Sequence, residues 1–138
     1  MENTNNNNSD QKRIVVFSKD DMLLSVLVES LSQGMVCVHS YNAKLSDINF
    51  NNSVILLDYD AEDFNTTEML PLLVKAAGTD NEVLVVSKNC ERKIVADCAK
   101  KGATRFIVKP LNKKRFKKYV LPYLESTILN NSFSDATL

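Results

Sequence analysis

The stretch VLVVSKNCERKIVADCAKKGATRFIVKP, from Val83 to Pro110, decides the fold. It opens with Val83-Leu84-Val85-Val86, an apolar run without polar alternation, as a strand covered on both faces should be. Ile94, Val95, Cys98 and Ala99 then recur at helical spacing on one face, and Gly102 stops the pattern. Arg105-Phe106-Ile107-Val108 is a second β-branched and aromatic run. Strand, helix and strand in this order form a parallel unit with a right-handed crossover.

The same alternation continues upstream. Ile14-Val15-Val16-Phe17, Met35-Val36-Cys37-Val38 and Val54-Ile55-Leu56-Leu57 are three further strand candidates. The run at Met35–Val38 is shorter, with His39 just beyond it, and reads as an edge strand. Met22, Leu23, Val26, Leu27 and Leu31 keep helical spacing until Gly34, and Leu70 to Ala77 ends at Gly78. A last helix is expected from Leu111 to Leu129, kinked or divided by Pro122. Between Tyr41 and Asn52 there is room for one short turn around Leu45 and Ile48. Five strands alternating with helices predict an α/β fold with a parallel sheet and helices on both faces.

Composition bounds the remaining possibilities. At 138 residues the chain is one domain's worth, and 44% hydrophobic with 25% charged residues excludes wholesale disorder. No apolar run reaches the roughly 18 residues of a membrane span, and no signal-peptide pattern opens the chain. Lys+Arg and Asp+Glu are 17 each, so no global charge draws nucleic acid or an anionic membrane. The balance hides an asymmetry. Residues 1–87 hold 5 basic and 13 acidic side chains, whereas residues 88–138 hold 12 and 4. Cys37, Cys90 and Cys98 make an odd count without CxxC, which argues for reduced thiols in a cytoplasmic protein. Each reads as a small buried apolar residue. Residues 1–11 are polar and Asn-rich and read as a disordered leader. Residues 12–129 form the domain, and 130–138 a polar tail or the start of a linker.

In a doubly wound sheet the ligand site lies at the carboxyl ends of the strands. Those positions read Ser18-Lys19-Asp20-Asp21, Asp58-Tyr59-Asp60, Ser87 and Lys109-Pro110. Carboxylates, a hydroxyl and a lysine on one rim are a kit for a phosphoryl group and a divalent cation. Asp20 and Asp21 equally suit a helix N-terminus, and Ser18 with Asp21 is an acceptable capping box.

With these residues in view, the chain resembles a response-regulator receiver domain over residues 13–125. Gly102–Pro110 carries the most specific likeness. Val54–Asp58 resembles the strand of the phosphoaccepting aspartate, and Val83–Ser87 the strand ending in Ser or Thr. The resemblance implies a flavodoxin-like five-stranded sheet of order 2-1-3-4-5. It implies Asp58 as phosphoacceptor for a histidine kinase or phosphotransfer protein. It further implies Ser87 and Lys109 as phosphoryl-binding groups, Phe106 as a switch residue and a cis bond before Pro110. Mg²⁺ would be held by Asp20, Asp58 and the backbone carbonyl of Asp60. The adjacent acidic pair of the family is incomplete here, since Ser18-Lys19 or Lys19-Asp20 occupies its place, and this weakens the expected Mg²⁺ site. The basic last helix implies a downstream protein, an output domain or a second copy as partner, with no membrane.

Three other functions draw on the same residues. A pseudo-receiver would keep the fold as an interaction module without metal or phosphate. A haloacid-dehalogenase-type phosphatase needs an acidic pair after the lysine, and Glu125 and Asp135 stand far apart. Lys113, Lys114, Arg115, Lys117 and Lys118 are interrupted by Phe116 and Tyr119 at core-like spacing, which argues for a wet helix face over direct nucleic-acid binding. The chain is therefore read as a non-enzyme, with at most phosphoryl gain and loss at Asp58.

Overall fold

The strands that carry the site form because β-branched runs prefer a pleated, fully covered surface. In a computed structural model, which describes residues 12–39, 42–61 and 65–125, they are β1 (Arg13–Phe17), β2 (Val36–His39), β3 (Ser53–Asp58), β4 (Val83–Ser87) and β5 (Arg105–Val108). All neighbours pair in parallel in the order β2-β1-β3-β4-β5. The helices are α1 (Asp21–Ser30), α2 (Thr66–Ala77), α3 (Arg92–Lys100), α4 (Lys113–Tyr119) and α5 (Leu121–Leu124). One 3₁₀ turn, Leu45–Asp47, fills the segment where a single turn was expected. The leader, the tail, Glu62, Asp63 and residues 126–129 of the expected last helix lie outside the described residues.

The two-residue period of a strand sends alternate side chains to opposite faces. Ile14, Val16, Val54, Leu56, Leu84, Val86 and Ile107 pack with Leu23 and Leu27 of α1, Phe116 of α4, Val120 between α4 and α5, and Leu124 of α5. Val15, Phe17, Ile55, Leu57, Val83 and Val85 pack with Met69, Leu70 and Leu73 of α2 and Cys98 of α3. Burying a side chain of this size contributes roughly 1.5–3 kcal/mol, so the two faces together hold the strands in fixed register. β2 is the edge strand expected, and His39, its last residue, stacks on Phe17 with ring centroids 5.8 Å apart.

Several boundaries differ from the sequence reading, each for a local reason. Asp20, rather than Ser18, caps α1: its side chain accepts from the amides of Met22 and Leu23 at 3.0 and 3.2 Å. Helix α2 starts a turn earlier than expected because the Asn65 side chain accepts from the Glu68 amide at its N-terminus. The last helix is divided near Pro122 as expected, with Val120 in helical conformation between the two segments and Pro122 in the first turn of α5. Cys98 is buried and Cys37 part-buried, but Cys90 is exposed, so it is no core residue.

Gly102 joins α3 to β5 at φ +107°, and a Cβ there would stand 2.7 Å from Cγ1 of Val74 on α2. Gly34 has a similar φ of +91° with open space around it. Left-handed strain costs roughly 1–2 kcal/mol, and overpacking adds roughly 1–3 kcal/mol. Gly102→Ala should therefore lose roughly 2–4 kcal/mol in urea denaturation and Gly34→Ala only about half as much; equal losses would contradict the packing argument.

Candidate functional site

Strand register assembles the site. Phe17 pairs with Leu57, so Ser18, just beyond β1, and Asp58, the last residue of β3, lie side by side. Ser87 pairs with Val108, which sets Lys109 one position beyond, and the Lys109 amide donates to the Ser87 carbonyl at 2.9 Å. Asp60 follows on the β3 loop, where the Tyr59 amide bonds the Val86 carbonyl. The bond between Lys109 and Pro110 is cis, as the resemblance implied.

The centre of the rim is an ammonium. Nζ of Lys109 lies 2.9 Å from Oδ2 of Asp20, 3.0 Å from Oδ2 of Asp58 and 3.1 Å from Oδ2 of Asp60. Asp58 is 4% exposed. Its Oδ2 also accepts from the Ser18 hydroxyl at 2.6 Å, and its Oδ1 from the Asp60 amide at 3.0 Å. Ser87 donates its hydroxyl to Asp60 at 2.6 Å, and the Lys88 amide donates to both oxygens of the same carboxylate. Phe106 packs on the α2–α3 face of the sheet, across from Val85. Lys19, which stands where an acid was expected, is exposed, and the cation among the carboxylates is Lys109.

Charges and hydrogen bonds set the protonation states. Burial works against the charged form of Lys109, but hydrogen bonds to Asp20, Asp58 and Asp60 outweigh it and raise its pKa above the ordinary 10.5. The Lys109 hydrogen bond is the main cause holding Asp20 below 3.8, against partial burial and with help from the Leu23 and Met22 amides. Burial would raise Asp60, yet hydrogen bonds from Ser87, Lys109 and the Lys88 amide together leave it lowered.

Asp20, Asp58, Asp60, Ser87 and Lys109 meet on one rim, where the sequence reading places the strand ends. It gave Asp60 a role only through its backbone carbonyl, whereas the Asp60 carboxylate bonds Ser87 and Lys109. It also missed Ser18 as the buried donor to Asp58. The Phe17–Leu57 register would have revealed that pairing, but register is not written in residue spacing.

These donors do not suit Mg²⁺. The ion wants near-ideal octahedral oxygen ligation at about 2.0–2.1 Å. Here the three carboxylates converge on a nitrogen, and Asp20, which also caps α1, follows a hydroxyl and an exposed lysine at the β1 end. Among the described residues no group of three or more His, Cys, Asp or Glu side chains is placed to hold a metal ion. Likewise, no described helix is long and apolar enough to cross a membrane.

No family model and no curated protein matches the chain. Solved structures do. A CheY-like response regulator receiver domain protein from Methanospirillum hungatei superposes with a TM-score of 0.65 at 20% identity, over 84% of this chain and 95% of that one. The CheX–CheY complex with beryllofluoride and magnesium from Borrelia burgdorferi gives 0.64 at 17%, over 78% and 84%. A candidate pilus assembly-related protein from Burkholderia pseudomallei gives 0.59 at 16%, over 79% and 86%. The chain has the receiver, or CheY-like, fold.

Two expectations follow from the rim. Lys109→Met leaves three carboxylates without their counter-ion and should cost roughly 3 kcal/mol in urea denaturation, toward the low end for breaking a buried pair because Asp20 and Asp60 are part-exposed. The stability contributed by the lowered Asp20 and Asp60 is present above pH 3.8 and lost as pH falls through their folded values. That contributed by Lys109 is present below pH 10.5 and lost as pH rises through its raised value. In Lys109→Met the alkaline loss should disappear; an unchanged alkaline limb would refute the assignment.

Proposed function

We propose that this chain is a receiver-fold signalling module that acts by presenting a protein-interaction surface, with Lys109 as the standing cation of its strand-end rim. The observation that carries this reading is the Lys109 ammonium within 2.9–3.1 Å of the Asp20, Asp58 and Asp60 carboxylates. An ammonium held by three acids neutralises in place what a dissociable metal would neutralise elsewhere. Ser18 shares Oδ2 of Asp58 with Lys109, the Asp60 amide holds Oδ1 of Asp58, and Ser87 holds Oδ1 of Asp60. The rim then has one settled arrangement, and the surface it supports does not wait for metal or phosphate. On this reading the chain is not an enzyme, and its partners are proteins.

A second reading is favoured by the meeting of Asp58, Ser87 and Lys109 on one rim. In it Asp58 accepts a phosphoryl group from a histidine kinase or phosphotransfer protein. A carboxylate oxygen would attack phosphorus, the P–N bond to histidine would break as the P–O bond formed, and the imidazole would leave. Ser18 would have to release Asp58, and Ser87 would have to turn from Asp60 toward the phosphoryl oxygens. Phe106 would then move into the space behind Ser87.

One experiment separates the two. The ¹⁵N-labelled full chain is titrated with beryllofluoride at millimolar Mg²⁺. The expected result is no shift at the amides of Asp58, Ser87 or Phe106, and spectra that respond no differently in Asp58→Asn. Shifts at these amides in the native chain that vanish in Asp58→Asn would establish the phosphoacceptor instead.

A further inference from the structure

The 3₁₀ turn Leu45–Asp47 and helix α2 enclose a groove of about 690 Å³ at the start of β3. Leu45, Ile48, Phe50, Leu72 and Ala76 make it largely apolar, and Lys75 is the cation among its lining residues. Leu72 is 57% exposed, and Lys75, three positions on along the same helix face, has no ion pair among the described residues. An exposed leucine beside an unpaired ammonium is a surface that a complementary segment would cover. The groove also lies close to where α5 ends. The Leu124 carbonyl accepts from the Lys12 amide at 3.0 Å, and the next amide, of Arg13, donates to the Asn52 carbonyl at 3.1 Å. The Arg13 guanidinium in turn donates to the Asn49 carbonyl at 2.9 Å, and Asn49 lines the groove. Two backbone contacts and one side chain therefore separate the end of α5 from the groove wall.

We infer that this groove is the docking site for residues 126–138 of the same chain, with Phe133 on Leu72 and Ala76 and Asp135 on the Lys75 ammonium. The sequence selects this occupant. Ile128, Leu129, Phe133 and Leu138 give the segment apolar side chains, whereas residues 1–11, which join β1 at the same end, hold none except Met1. The seven residues Ser126–Ser132 span at most roughly 23–25 Å when extended. That is ample for passing the starts of β1 and β3, which as neighbouring strands lie about 4.8 Å apart. Spacing fits as well. In an extended segment Phe133 and Asp135 face one side about 6.6 Å apart, and side chains three apart on a helix, as Leu72 and Lys75 are, stand about 5–6 Å apart. Ring and carboxylate thus meet leucine and ammonium in register. The docked segment straps the 3₁₀ turn to α2 and keeps the groove from outside partners. This inference rests on neither reading of Asp58.

The test is methyl-detected NMR on the full chain. The native protein should show nuclear Overhauser contacts from the Phe133 ring to the methyl groups of Leu72 and Ile48. In a mixture of labelled and unlabelled chains these contacts should remain within one molecule. Leu72→Ser, at an exposed position, should remove the Ile48 contact as well, while the β1 and β3 amides keep their native shifts. Phe133→Ser should shift the Ile48, Lys75 and Ala76 amides and weaken docking at least about tenfold. Asp135→Asn should weaken it about twofold, and should weaken it no further in Lys75→Gln. Ser134→Ala, on the other side of the extended segment, should leave every contact in place. The inference is overturned if Phe133 makes no contact with the groove, if its contacts run between chains, or if residues 1–11 occupy the groove instead. It fails equally if the Ile48 contact survives Leu72→Ser, if Asp135→Asn docks as the native chain does, or if Ser134→Ala loses as much as Phe133→Ser.

Discussion

A lysine ammonium cannot be taken out of water alone, and the strand-end rim is organised around that fact. Lys109 is nearly covered, and its charge is tolerable there only because carboxylates from the ends of β1 and β3 turn toward it. Asp58 in turn could not sit at 4% exposure beside Asp20 and Asp60 without it, since the three would face one another as like charges. Hydroxyls complete the arrangement, with Ser18 on one acid and Ser87 on another. The sheet register that brings these groups together is held from both faces by apolar packing, so the polar rim stands on a rigid floor.

How much of this could be read in the residues depends on the length scale of the cause. The parallel sheet was legible because strands covered on both faces must be apolar at every position, as Val54–Leu57 and Val83–Val86 are. The strand-end chemistry was legible because a doubly wound topology sends the residues after β1, β3, β4 and β5 to one rim. The resemblance supplied the strand order and the cis bond before Pro110. Whatever depended on distance across the sheet was not legible. Ser18 read as a helix cap because capping is local, whereas its bond to Asp58 spans forty positions along the chain. Asp60 read as a backbone ligand because only the fold shows its side chain facing Ser87. Cys90 followed its residue type in the reading and its loop in the fold, and the loop is exposed.

The rim shares β5 with Arg105, which together with Arg115 and Lys118 stands 5.0–5.3 Å from the Tyr119 ring centroid, yet rim and cations answer to different physics. Lys109 is neutralised within the molecule, at distances where solvent and salt have little access. Arg105, Arg115 and Lys118 are left to the surroundings, and their influence weakens with ionic strength. Val108, whose carbonyl anchors Arg115, is the neighbour of Lys109 in sequence and the register partner of Ser87. One short strand therefore supports a closed electrostatic site on one side and an open one on the other.

That strand also forms the border of the sheet. A parallel sheet ends in unpaired backbone amides and carbonyls, a standing invitation to strand addition and fibril growth. β5 is only four residues long, between α3 and α4, and its first residue is the exposed Arg105. An incoming strand would have to pass a guanidinium drawn toward Tyr119 and enter a field of uncompensated positive charge. The same cations thus protect the molecule against polymerising with itself.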